Sequence, residues 1–222
     1  MPLREYLPFW NKLTDNQRQT LLNAAASRTV HKGELLHSGS SDCVGLLVVK
    51  EGQLREYVLS DEGKELTLYR LLPPDICLLS ASCLMPSIQF DVFVEAEKDS
   101  EIFLIPSEVW RSLMHQSLEV SNYTLELMGE RFSDVMWLMD QVLYRRMDAR
   151  LSAFLLEESV LSGSDEMELT HETIARHLGT AREVITRMLK YLHNLGAVAL
   201  QRGGVRILDR EKLIKLAEGS LR

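Results

Sequence analysis

Residues 170 to 195, THETIARHLGTAREVITRMLKYLHNL, constrain this chain more than any other stretch. They read as two helices joined by a tight turn. Thr170 is placed to cap the first, Ile174, Ala175 and Leu178 make its apolar side, Gly179 supplies the turn, and Thr180 is placed to cap the second. With roughly 100° between successive helical residues, Ile185, Met188, Leu189 and Leu192 share one arc of the second helix. Arg182, Glu183, Thr186, Arg187 and Lys190 share the other. One side is therefore built to sit on a small core, and the other offers two guanidiniums, an ammonium, a carboxylate and a hydroxyl. Such a surface suits the major groove of double-stranded DNA, where Arg forks read guanine, Glu accepts from cytosine amines, and Thr and Lys meet phosphates. Thr180 to Glu183 also has capping-box form, which gives Glu183 a structural reading beside the base-reading one.

The pattern T-x-x-x-I-A-x-x-L-G-T-x-R-E-x-x-x-R-x-L-x-x-L-x-x-x-G, here Thr170 to Gly196, resembles the helix-turn-helix of the Crp/Fnr transcription regulators nearly position for position. The resemblance implies an α+β protein with three parts. An antiparallel, jelly-roll-like β-roll with amino-terminal helices (1–116) senses a small effector, a long dimerisation helix follows (117–145), and a winged helix-turn-helix binds DNA (146–222). It also implies a homodimer on a palindromic site, with RNA polymerase as a further partner.

The charge supports a DNA-binding end on an otherwise acidic chain. The net charge is −7, but residues 146–222 hold 12 Lys and Arg against 11 Asp and Glu. Within 176–206, Arg176, Arg182, Arg187, Lys190, Arg202 and Arg206 face only Glu183, a local surplus suited to steering towards phosphates. Ala197–Leu200 and Val205–Leu208 flank QRGG as the two strands of a wing, from which Arg202 is placed to reach the phosphate backbone.

The rest of the chain reads in period changes. Residues 4–27 look helical, with Thr14 and Asp15 as start signals. Short apolar runs follow at Gly45–Val49, Leu54–Leu59, Leu66–Leu71, Phe90–Ala96 and Ile102–Ile105, each separated from the next by turn residues, as in a roll. Ser107 is placed to cap a short helix. From Leu118 a longer one carries Leu118, Leu125, Phe132 and Met139 at a positions and Ser121, Met128, Val135 and Val142 at d, a seam for a second copy. Residues 145–160 give another amphipathic helix, SGSDE a loop, and EKLIKLAEGSLR a terminal helix.

The effector pocket is expected around PDICLLSASCL and the segment near residue 90, with Cys77, Leu79, Ser80, Cys83, Phe90 and Asp91 as its candidates. In the cyclic-nucleotide branch of the resembled family a Gly-Glu and an Arg-Ser pair hold the phosphate. Leu78 and Leu79 stand in place of the first, Phe90 and Asp91 in place of the second, so the expected effector is a small molecule other than cyclic AMP. The iron-sulfur branch gathers cysteines near the amino terminus, and no cysteine precedes Cys43. Haem is the lesser alternative, because Pro2 and Cys77 match ligands of the carbon-monoxide-sensing branch while Leu79 stands where its His would be. No cofactor is expected. Cys77 and Cys83 read as buried thiols or as a redox or soft-metal pair. The histidines show no metal spacing, and no catalytic set stands out.

MPLREYLPFW lacks the apolar run of a signal peptide, and no stretch approaches a membrane span, so a cytoplasmic protein without membrane contact is expected. The rival reading is a cupin-like enzyme or small-molecule carrier, for which His31 and His37 alone do not make a metal set.

Overall fold

A computed structural model describes residues 2–39, 43–84 and 91–221, with the side chains of Ser82 and Cys83 also outside the description. Met1–Leu59 with Leu68–Val135 form one compact unit, and Ser60–Thr67 with Met136–Arg222 form another.

In the first unit, helix α1 (Asp15–Ala24) begins at a complete capping box. The Thr14 hydroxyl accepts from the Gln17 amide, and the Gln17 side chain accepts from the Thr14 amide. Strands β1 (Ala26–Val30), β2 (Leu35–Ser38), β3 (Leu46–Glu51), β4 (Leu54–Leu59), β5 (Glu65–Leu71), β6 (Ile76–Cys77), β7 (Phe93–Ala96) and β8 (Ser100–Ile105) build two four-stranded sheets. Their orders are β1-β8-β3-β6 and β2-β7-β4-β5. The described pairs are antiparallel, with Leu47 opposite Leu104 and Ala26 opposite Leu104 on the other side of β8.

Strand β3 is buried on both faces, which explains its unbroken apolar run. Leu47 and Val49 join Val30, Leu54, Leu71, Cys77, Val94 and Ile102 in the core between the sheets. Leu46 and Val48 join Leu21, Ile105, Trp110, Val120 and Leu127 in a second core beneath the helices. Helix α2 (Ser107–Gln116) has Pro106 at its cap position rather than the expected Ser107, which is already inside the first turn. Helix α3 runs from Leu118 to Tyr144.

In the second unit, α4 (Met147–Ser162) stops at Gly163 in the left-handed region (φ +67°). There follow β9 (Glu166–Met167), α5 (His171–Leu178), α6 (Arg182–Asn194), β10 (Val198–Gln201), β11 (Gly204–Ile207) and α7 (Arg210–Leu216). The small sheet has the order β10-β11-β9. Its core is drawn from every helix of the unit beyond residue 146, with Leu151, Leu155, Ile174, Leu178, Ile185, Leu189, Leu192 and Leu213 all buried.

The strands expected at β3, β4, β5 and β8 form within a residue or two of their predicted limits. β7 begins at Phe93, and the predicted start, Phe90, lies outside the described residues. Ala26 and Ser27, at the end of the stretch expected to be helical, open β1 instead. Four of the five β1 residues are exposed and polar or small, so the strand carries no alternation to announce itself. Glu166, expected in a loop, pairs with Arg206 as part of β9.

Candidate nucleic-acid interface and effector pocket

The turn between α5 and α6 is held by local hydrogen bonds. The Thr170 hydroxyl accepts from the Thr173 amide at 3.0 Å and starts α5 as expected. Gly179 (φ +64°) ends it, and a side chain there would also run into Leu66 of the same unit, at 2.8 Å from its Cβ position. Thr180, expected to cap α6, does not. Its amide donates back to the Ala175 carbonyl at 3.1 Å, so the chain leaves the turn one residue later, and extended Ala181 takes the cap position without a side-chain bond. The capping-box role of Glu183 is therefore not realised.

Helix α6 divides as its periodicity dictates. Ile185, Leu189 and Leu192 have no exposed surface. Arg182, Glu183, Arg187 and Lys190 are exposed on the opposite side, and Thr186 is half-buried. The Thr186 hydroxyl lies 2.9 Å from the Arg182 carbonyl, to which it donates, and 2.9 Å from His171 Nδ1. It locks α6 to the start of α5 rather than standing free for phosphate. Arg150, buried under the motif, donates to the Leu178 carbonyl at 2.8 Å and so satisfies the carboxyl end of α5 with a cation. Burial lowers the pKa of that guanidinium.

The wing is β10 and β11, whose turn carries exposed Arg202 beside Gly203 (φ +78°); Arg206 is exposed on β11. Arg176 is committed elsewhere. It pairs with Glu65 at 3.0 Å, and next to it His177 Nδ1 lies 2.9 Å from the Thr67 hydroxyl, both partners coming from the 60–67 segment of this unit. The positive surface left to α6 and the wing is Arg182, Arg187, Lys190, Arg202 and Arg206.

Helix α3 has two faces. Val120, Thr124 and Leu127 are buried against the helical core of the first unit. On the other side Leu125 and Phe132 are 68% and 69% exposed, and Leu118, Met128, Met139 and Val142 lie open along the same stripe. Met136 and Leu143, absent from the expected seam, are exposed too. Val135 is only partly exposed, and Ser121 donates its hydroxyl to the Met114 carbonyl at 2.6 Å.

Of the residues expected in the effector pocket, Cys77 is fully buried in β6, and burial pushes its thiol well above the usual range, as the nearby Glu56 carboxyl also does. Ser80 is buried as well, its hydroxyl within 2.7 Å of the Gly45 carbonyl and 3.1 Å of the Cys77 carbonyl, so it serves the backbone. Leu79 packs on the helical core, and Asp91 is exposed beside Gly39. Phe90 and the Cys83 side chain lie outside the described residues. Among the described residues no group of three or more His, Cys, Asp or Glu is arranged to hold a metal ion, and no helix is long and apolar enough to cross a membrane.

A polar cluster that no local sequence signal announces lies beside Cys77. Glu56 on β4 shares the inward face with Leu54, wholly inside the roll. Desolvation raises its pKa to about 7, against smaller lowering effects from Tyr69, Arg131 and Cys77. Arg131 of α3 stacks on the Tyr69 ring at 4.5 Å and pairs with Asp134 at 3.0 Å and Asp75 at 3.9 Å. The Tyr69 hydroxyl and the Cys77 thiol face the Glu56 carboxyl closely enough to shift its pKa, yet both Glu56 carboxyl oxygens, the Tyr69 hydroxyl and Arg131 Nε are buried without a hydrogen bond of good geometry. Each such atom costs roughly 1–3 kcal/mol, so a fold that keeps four of them in one place holds a considerable unmet hydrogen-bonding demand.

Residues 149–216 match the family model of the Crp-like helix-turn-helix domain. A solved structure from Eubacterium rectale, assigned to the Crp/Fnr family of transcriptional regulators, is 52% identical, covers 96% of this chain and 99% of its own, and superposes with a TM-score of 0.94. The transcriptional activator protein Anr of Pseudomonas aeruginosa is 24% identical over 87% of this chain and 81% of its own length. FixK2 of Bradyrhizobium japonicum shares the fold at 18% identity, with a TM-score of 0.67 over 86% of this chain and 96% of that one. The chain belongs to the Crp/Fnr family of transcription regulators. It is a DNA-binding regulator with a β-roll and a Crp-like helix-turn-helix, not an enzyme, and the cupin-like alternative falls.

Proposed function

We propose that this regulator acts as a cytoplasmic homodimer that reads a palindromic operator through α6 and the wing. In this reading the β-roll senses a small effector other than cyclic AMP, and the bound dimer engages RNA polymerase. The observation that carries the DNA-binding part is the two-sidedness of α6, where Arg182, Glu183, Arg187 and Lys190 face outward above fully buried Ile185, Leu189 and Leu192. The dimer reading is supported by the apolar stripe of Leu118, Leu125, Met128, Phe132, Met139 and Val142, which a monomer would leave in water. Two copies joined along α3 would present two recognition helices to half-sites about 34 Å apart.

The pocket residues support an organic effector held without a resident cofactor. Leu79 offers no ligand two residues beyond Cys77, and the polar groups gathered beside Cys77 in the roll are a carboxyl, a phenol and a guanidinium. Selection of duplexes from a random pool, followed by fluorescence anisotropy on the enriched sequence, tests the DNA reading. A two-fold-symmetric consensus bound with steep salt dependence is the expected result; binding that ignores sequence, or no binding, refutes it.

A further inference from the structure

The cluster of Glu56, Tyr69, Cys77 and Arg131 draws its members from four elements, β4, β5, β6 and α3. Its donors and acceptors are unevenly spent. Arg131 directs its terminal nitrogens at Asp134 and Asp75 and keeps only Nε unpartnered, and its positive charge is already answered by those two carboxylates. Neither Glu56 oxygen nor the Tyr69 hydroxyl closes a hydrogen bond of good geometry although the two groups face each other, and the cation acting on Glu56 is Arg131, which it shares with Asp75 and Asp134. An apolar ligand would leave every one of these atoms unsatisfied. A phosphate or carboxylate would meet three carboxyl groups, Glu56, Asp75 and Asp134, against one committed guanidinium.

We propose that this cluster binds a small organic cation, an ammonium or amidinium with an adjacent hydrogen-bond acceptor. Its N–H groups donate to the Glu56 carboxylate, and its acceptor takes the protons of the Tyr69 hydroxyl and Arg131 Nε. This rests on the reading of the β-roll as the sensor and gives that sensor a ligand class. Glu56, which burial brings to a pKa of about 7, exchanges its proton for the bound cation. The other titratable groups facing it, the Tyr69 hydroxyl and Cys77 thiol, stay neutral because burial raises both. Arg131 stays charged between Asp75 and Asp134.

Calorimetric titration of the full chain with ethanolamine and agmatine, beside acetate and inorganic phosphate, tests the assignment. At least one amine is expected to saturate, and to bind about tenfold more tightly at pH 8 than at pH 6 as Glu56 ionises. Glu56→Gln is expected to weaken that binding at least tenfold and to flatten the pH profile, while Tyr69→Phe weakens it and keeps the profile. Circular dichroism of both variants separates lost binding from lost folding. No saturation by either amine in the millimolar range, tighter binding of an anion, or an unaltered Glu56→Gln titration each overturns the proposal. Duplex binding by the unliganded chain is measured in parallel. If DNA binding is present and amine binding absent, the ligand class alone fails; if DNA binding is absent, the regulator reading fails on its own evidence.

Discussion

Replacing Glu56 by Gln removes a buried ionisable group while keeping its volume, and its effect on stability is expected to depend on pH in a definite direction. The carboxyl pKa is raised from 4.5 to about 7 by desolvation. Between those values the folded protein keeps a proton that the unfolded chain has released, so stability falls as pH rises. The penalty is absent below pH 4.5, grows through the interval, and is complete above about pH 7. At about 1.4 kcal/mol for each pH unit, the full penalty is roughly 3 kcal/mol. Glu56→Gln abolishes this component. Urea melts of both proteins at pH 5 and pH 8, at equal protein concentration, are expected to show the variant gaining about 2 to 3 kcal/mol relative to wild type between the two conditions. Neighbouring Tyr69 and Cys77 titrate far above this window. A stability difference unchanged between pH 5 and pH 8 would show that Glu56 ionises normally and that the roll is open to water at this point.

Arg182→Ala and Arg187→Ala are each expected to cost roughly 1–3 kcal/mol of operator binding and to spare folding, as a lost bidentate guanine contact does. Equal weakening on selected and scrambled duplexes would reduce both to phosphate contacts. Phe132→Asp is expected to give monomers that no longer bind operator, since it sets a carboxylate where an apolar partner belongs; sedimentation showing persistent dimers would move the seam elsewhere. Cyclic AMP is expected to leave operator affinity unchanged, and a gain in anisotropy titrations would contradict the reading of the 78–91 segment. Peroxide at modest excess is expected to leave Cys77 unmodified on the timescale of exposed thiols, because it is wholly buried with a raised pKa; rapid oxidation located at Cys77 by peptide mass mapping would mean that the strand opens.

The DNA-binding half was legible because its signals are local. Thr170, Gly179 and the apolar set Ile185, Leu189 and Leu192 act within one or two turns, and the α6 cap shifts by a single residue because the Thr180 amide folds back to Ala175. The strands with buried alternating or continuous apolar runs were legible for the same reason, whereas exposed β1 and two-residue β6 and β9 take their form from pairing with distant partners. The polar cluster was not legible at all. Arg55 and Glu56 lie inside the run expected as a strand from Leu54 to Leu59, but nothing local says that Glu56 faces the interior, and the groups beside it arrive from β5, β6 and α3. Only the fold brings Arg131 over Tyr69.

The adjacency of Arg131 and Phe132 gives that cluster its mechanical meaning. Successive residues on a helix point about 100° apart. Here one side chain is 14% exposed and directed at Tyr69, Asp75 and Asp134, while the next is 69% exposed on the stripe proposed as the dimer seam. A ligand changes the balance between two arrangements of the dimer only by its difference in affinity for them. A tenfold change in operator affinity needs about 1.4 kcal/mol of such difference, which one charge-assisted hydrogen bond supplies. Glu56, Tyr69 and Arg131 hold four unmet hydrogen-bonding atoms, so a bond made in one arrangement and missed in the other is enough. Leu127→Ala, on the inward face of α3 one turn before Arg131, is expected to reduce the ligand-dependent change in operator affinity more than it reduces ligand binding, because it loosens the helix between the pocket and the seam. Paired calorimetry and anisotropy on this variant decide the point, and equal losses in both would mean that the signal leaves the pocket by another route.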